Sequence, residues 1–140
     1  MRTVNGKKVV IVPCSGIGKA QGLIARESVY QAIEQLGEDV AGTLCLGLVV
    51  TGDEENVDAI RSHPCITVDG CPKMCSLKNL EMAQARIAQS LRVVDAMREF
   101  KGAQPGSATA LTEDGWAIAA AISRGLVDDV HKIIAEGAEG

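Results

Sequence analysis

Apolar residues along this 140-residue chain change their period several times, and each change marks a structural element. Lys8 to Pro13, KVVIVP, is a continuous β-branched run lying between Gly6 and Cys14-Ser15-Gly16. It predicts a strand buried on both faces. From Lys19 the spacing lengthens: Leu23, Ile24, Val29, Ala32, Ile33 and Leu36 recur at steps of about three and four, which predicts a helix stopped by Gly37. Strand, glycine turn and helix in that order open a βαβ unit and therefore a parallel sheet.

Asp39 to Thr51 is apolar without a clear period. It fits one strand broken by Gly47, and equally a short strand running into a loop. Glu54 to Ser62 predicts a surface helix with Val57 and Ile60 inward, ended by His63-Pro64. CITVDG, Cys65 to Gly70, predicts a second buried strand closed by Asp-Gly. Ser76 to Ala88 reads as a helix with Leu77, Leu80, Met82 or Ala83, and Ile87 on its apolar side, and Leu91 to Met97 as a further strand. Lys101 to Ala108 collects Gly, Pro and Ser into a loop. The C-terminal segment 109–137 is helical, its pattern running from Glu113 to Glu136. Thr112 is placed to cap it, and Ile118, Ile122, Leu126, Val130 and Ile133 or Ile134 to face the sheet. No repeat or long linker divides residues 1–140. The expected fold is one α/β domain, a three-layer open sheet, mostly parallel, of the Rossmann-like or flavodoxin-like kind.

Composition narrows the partners. A formal charge of −4, a pI near 5.2 and the three aromatic residues Tyr30, Phe100 and Trp116 leave little with which to grip phosphates or stack bases, so nucleic acid is not an expected partner. The apolar run Val9 to Val12 is far shorter than the core of a secretion signal, and Pro13 before Cys14 spoils a lipoprotein-type cleavage site. No stretch approaches the roughly 20 apolar residues that cross a bilayer. A cytoplasmic protein without a membrane partner is expected, and the long C-terminal helix would permit a homodimer or another protein partner. Five cysteines, an odd number unevenly spaced, point under reducing conditions to ligands, nucleophiles or buried small hydrophobes rather than bridges.

Ligands in open α/β sheets collect outside the carboxyl ends of the strands, where loops lead into helix N-termini. Cys14 sits there after the first strand, Cys71 after the CITVDG strand, and Cys75 one turn later. Helix N-termini favour the thiolate, the form that binds a metal. The pair in C-P-x-x-C cannot close a tetrahedral site alone, and zinc asks for four ligands. His63 and His131 are the only imidazoles, and neither lies on a loop that reaches this edge. The fourth ligand is then Cys45 or Cys65. Cys65 begins the strand that Cys71 ends, nearly 20 Å away at roughly 3.3 Å per residue, which excludes it from a mononuclear site. Cys45 qualifies if residues 40–44 deliver it to the same edge, and its case weakens if the strand instead runs through Leu46 to Thr51 and takes Cys45 inside it.

PCSGIGKAQG, LCLG and VDGCPKMCSLKNLE, in this order and spacing, resemble the DGC-domain family of proteins proposed to bind zinc, named for the motif seen here as Asp69-Gly70-Cys71. The resemblance covers Val9 to Asp95, and the tail after Phe100 carries none of its motifs. It implies a metal site whose chelators are Cys14, Cys45, Cys71 and Cys75, and no established reaction. Cys65 lies outside the pattern and reads as a core residue.

The four thiolates suit zinc and an iron–sulfur cluster alike. Other uses of the same residues are an iron–sulfur or persulfide enzyme of sulfur or redox metabolism acting through Cys14 or Cys71, and a thiol switch through a Cys71–Cys75 disulfide. SGIGKAQG is not a phosphate-binding P-loop: Pro13 stands where glycine is needed and Ala20 where Ser or Thr holds magnesium. Ala20 also stands where a cysteine phosphatase places its arginine. Gly16 and Gly18 instead let the backbone turn tightly. Asp69 reads first as an acceptor for backbone N–H groups in its turn and second as a catalytic carboxylate. Lys19, Lys73, Lys78 and Glu81 read as solvated side chains around the same edge.

Overall fold

The structure is a computed structural model that describes residues 9–14, 19–70 and 73–139. Strands β1 (Val9–Pro13), β2 (Ala41–Gly42), β3 (Cys65–Asp69) and β4 (Ile87–Arg92) form a four-stranded sheet in the order β2-β1-β3-β4, with every neighbouring pair parallel. That is the order in which a flavodoxin-like sheet begins, and its topological switch point falls between β1 and β3. The described part of the predicted first strand, from Val9 on, is as expected; Lys8 lies outside the described residues.

Alternate residues of the central strands feed two separate cores, as the period of two requires. Val9, Ile11, Ile66 and Val68 face α1 (Ala20–Leu36), the short helix α5 (Val93–Ala96) and α6 (Glu113–Glu139). Val10, Val12 and Cys65 face the other layer, made by α2 (Leu46–Val50), α3 (Glu54–Ser62) and α4 (Cys75–Met82). Both central strands are thus buried on both sides, the origin of the unbroken apolar run of β1.

Helix boundaries follow local chemistry where the chain carries a signal. Gly37, at φ 93°, ends α1 and donates its N–H to the Ile33 carbonyl. Asp53 caps α3, its carboxylate accepting the Asn56 N–H; Ile60 is fully buried and Val57 half-buried. Thr112 caps α6 as expected, accepting the Gly115 N–H at 3.2 Å. Ile118, Ile122, Leu126 and Val130 enter the first core, with Ile133 and Ile134 packed beside it. This stripe meets α1 as well as the sheet. Among the described residues, no helix is long and apolar enough to cross a membrane.

Two stretches differ from the sequence reading. The helix expected to reach Ala88 stops at Met82: Gln84 turns back at φ 62°, and Ile87 belongs to β4. The strand expected over Leu91–Met97 is displaced, because β4 ends at Arg92 and Val93 begins α5. Ala83-Gln84-Ala85-Arg86 holds no Gly or Pro, so local propensity favours continued helix; pairing of β4 along β3 overrides it. Between Asp39 and Thr51, Ala41 and Gly42 pair with Val9 and Val10, and the chain then enters α2. The short-strand alternative holds for its strand, while a helix replaces the expected loop. Gly47 sits inside that helix rather than breaking a strand.

Candidate metal centre

Parallel alignment of β2, β1 and β3 brings their carboxyl ends to one edge. Cys14 directly follows β1. Cys45 lies three residues beyond β2 as the N-cap of α2, so no strand runs through it. Cys75 is the first residue of α4, on the β3 side of the same edge. Cys45 and Cys75 are exposed and Cys14 is half-buried. Cys71, with Pro72 and the turn residues Ser15 to Gly18, lies outside the described residues. The tight-turn reading of Gly16 and Gly18 falls there too.

Cys14 and Cys45 line one cleft of about 820 Å³ between the second half of α1 and residues 43–47. On its other side Cys14 is tied to β3: its Sγ accepts the Gly70 N–H at 3.3 Å, and its own N–H donates to the Val68 carbonyl. The bond from Gly70 fixes the Cys14 sulfur beside the end of β3. Gly70 achieves this by close approach to α1, since a Cβ there would lie 2.8 Å from the backbone of Gln21 and Gly22. Any side chain at Gly70 pushes β3 and α1 apart at the point where Cys14 is held.

Asp69 is 1% exposed and aims into the start of α4. Its Oδ1 accepts the Ser76 N–H at 2.7 Å and its Oδ2 the Leu77 N–H at 3.1 Å. Met74, the residue before α4, lies at φ 54° and makes no side-chain cap, so Asp69 supplies the cap from the end of β3. This is the backbone-accepting role expected of it, extended from the turn to the helix beyond. Burial pushes its carboxyl above the usual carboxylate range, opposed by those two N–H bonds and by the charge of Lys78. Ser76 completes the clamp: fully buried, it donates its hydroxyl to the Val12 carbonyl at 2.8 Å. Sequence reasoning passed over Ser76, because serine at a helix start is ordinary and its partner is 64 residues away.

Cys65 and His63 fall away from this edge. Cys65 starts β3 at the opposite end and is fully buried, with its S–H donating to the carbonyls of Ile60 and His63. Burial pushes its thiol up to about 12, against the pull of Arg86, so it stays neutral and serves the core. His63 precedes the same strand end, with Nδ1 at 3.0 Å from the Ala59 carbonyl, and His131 is exposed on α6. Lys19, Lys73, Lys78 and Glu81 are exposed. Among the described residues, no three His, Cys, Asp or Glu side chains stand close enough together to hold a metal ion. The soft donors among the described residues of this edge are the thiols of Cys14, Cys45 and Cys75.

Residues 10–115 match the family model described as the DGC domain. The match extends past the motif-bearing stretch Val9 to Asp95 and past Phe100, to the first turn of α6, so the family's domain includes the loop that leads into that helix. No curated protein and no solved structure matches the chain.

Proposed function

This chain belongs to the DGC-domain family, and from that premise we propose that it binds one zinc ion through Cys14, Cys45, Cys71 and Cys75 at the carboxyl edge of its sheet. The observation that carries the reading is the double placement of Cys14. It shares a cleft wall with Cys45 on the β2 side and takes a hydrogen bond from Gly70 on the β3 side, one residue before Cys71. The Asp69–Ser76 clamp fixes the helix that begins at Cys75. Cys14 directly follows β1, Cys45 and Cys75 open α2 and α4, and Cys71 is in sequence the second residue after β3, an order that supports a shared ion.

Four thiolates would give a closed zinc site, suited to stabilising the edge or to handling metal. The chain's own residues supply the soft donors, and Gly70 fixes one of them before metal arrives. Metal analysis of protein purified without oxygen tests the reading, using the wild type and Cys→Ser variants at 14, 45, 71 and 75, with Cys65→Ser as the control. About one zinc per chain is expected in wild type and in Cys65→Ser, with at least tenfold weaker retention against a chelator for Cys14, Cys71 and Cys75 variants. Iron with sulfide would replace zinc by a cluster. Protein that takes up neither metal contradicts the proposal.

A further inference from the structure

The cleft that Cys14 and Cys45 help to line runs beside β2, an outer strand of the described sheet. One wall is a stripe of α1. Arg26, Tyr30, Ile33, Glu34 and the capping Gly37 recur at steps of four, three, one and three, which places them on one face of the helix. Ile33, Leu44 and Leu46 are nearly buried and form the apolar floor, whereas Tyr30 is 49% exposed and Glu34 and Glu38 are exposed on the rim. A cleft of about 820 Å³ with an apolar floor and a few charged groups is of the size and make-up that hold a small organic molecule. The charges are also ordered along it. α1 starts at the carboxyl edge, where Gly70 approaches Gln21 and Gly22, and ends at the amino edge, where Ala41, four residues after Gly37, pairs with Val9. Arg26 therefore stands toward the carboxyl edge, and Glu34 and Glu38 toward the amino edge. Eight residues of helix separate Arg26 from Glu34, about 12 Å at 1.5 Å per residue.

We propose that this cleft binds a short zwitterionic peptide with an apolar middle residue, its terminal carboxylate on Arg26 and its terminal ammonium on Glu34 and Glu38. Three residues of extended chain span about 10 Å at roughly 3.3 Å each. A tripeptide thus meets both ends of the cleft at once, the side chains of Arg26 and Glu34 covering the remainder. A free amino acid carries both charges on one carbon and meets one end only. The guanidinium presents a fork of N–H donors that matches a carboxylate. Tyr30, midway between Arg26 and Glu34 on the same face, offers its ring to the middle of the peptide. Phosphorylated ligands are selected against, because two carboxylates face one guanidinium among the lining residues.

The test titrates the full chain, as purified, with the tripeptide Ala-Leu-Ala, followed by calorimetry and by the amide NMR shifts of the protein. Binding at one site is expected, with the signals of Tyr30, Glu34 and Leu46 moving. Acetylating the amine or amidating the carboxylate of the peptide each weakens binding about tenfold, the loss of one charge-assisted contact. Arg26→Gln is expected to cost the free acid about tenfold and the amide nothing, and the double variant Glu34→Gln, Glu38→Gln to cost the free amine about tenfold and the acetylated peptide nothing, because each loss belongs to one pair of charges. The blocked peptides are read on wild type, so the outcome does not hang on a variant that fails to fold. Absence of binding at millimolar Ala-Leu-Ala, blocked peptides or free leucine that bind as well as the tripeptide, shifts that cluster away from the cleft, or variant losses that add to those of blocking overturn the proposal.

Discussion

At Gly70 a single methyl group decides whether β3 and α1 keep their approach. Gly70→Ala is expected to cost about 1–3 kcal/mol in urea unfolding, because its Cβ would meet backbone rather than a side chain that can swing away. Asp69→Asn leaves one of two buried N–H groups with a poorer acceptor, a loss of about 1–2 kcal/mol. Its pH dependence has a definite sign. A carboxyl raised by burial contributes most below the unfolded value of 3.8, and that contribution is lost as pH rises through the folded value. The deficit of Asp69→Asn against wild type therefore shrinks from pH 3.8 toward neutrality, as unfolding midpoints across that range will read. Cys65, with its thiol pushed up to about 12, should stay unlabelled by iodoacetamide in the folded protein at neutral pH and react once urea unfolds it.

Among the elements, the turn from α4 to β4 is the least determined by its own sequence. Gln84 holds φ 62° without glycine's freedom. Gln84→Gly is expected to stabilise by about 0.5–1 kcal/mol, read as a higher unfolding midpoint, because the left-handed conformation penalises a side chain there. This turn also shows where sequence reading stops. β1, β3, α1, α3 and α6 carry buried runs, helical stripes and caps such as Gly37 and Thr112, so their extents are written locally. α4 and β4 are separated by Ala83-Gln84-Ala85-Arg86 and α5 follows β4 directly, so only pairing with β3 cuts that stretch into helix, strand and helix. The same contrast holds at the site. Asp69's role in accepting N–H groups is legible from Asp-Gly, whereas Ser76's bond to Val12 needs the fold. The helix opened by Cys45 depends on Leu46 and Val49 finding the second core, which Asp39 to Thr51 does not announce.

Taken whole, the described residues bring Cys14, Cys45 and Cys75 to the carboxyl edge of a parallel sheet beside its switch point, where this architecture puts its ligands. The two cores hold that edge from both faces, α1 against Gly70 and α4 through Asp69 and Ser76. Metal bound there would add to the stability of the folded state alone, so chelation should lower the unfolding midpoint of wild type and leave that of Cys14→Ser unchanged. X-ray absorption at the zinc edge of the purified protein tests the central claim most directly. Four sulfur scatterers at about 2.3 Å are predicted, the shell of four thiolates. A shell dominated by nitrogen or oxygen, or protein that holds no zinc after anaerobic purification and reconstitution, would contradict it.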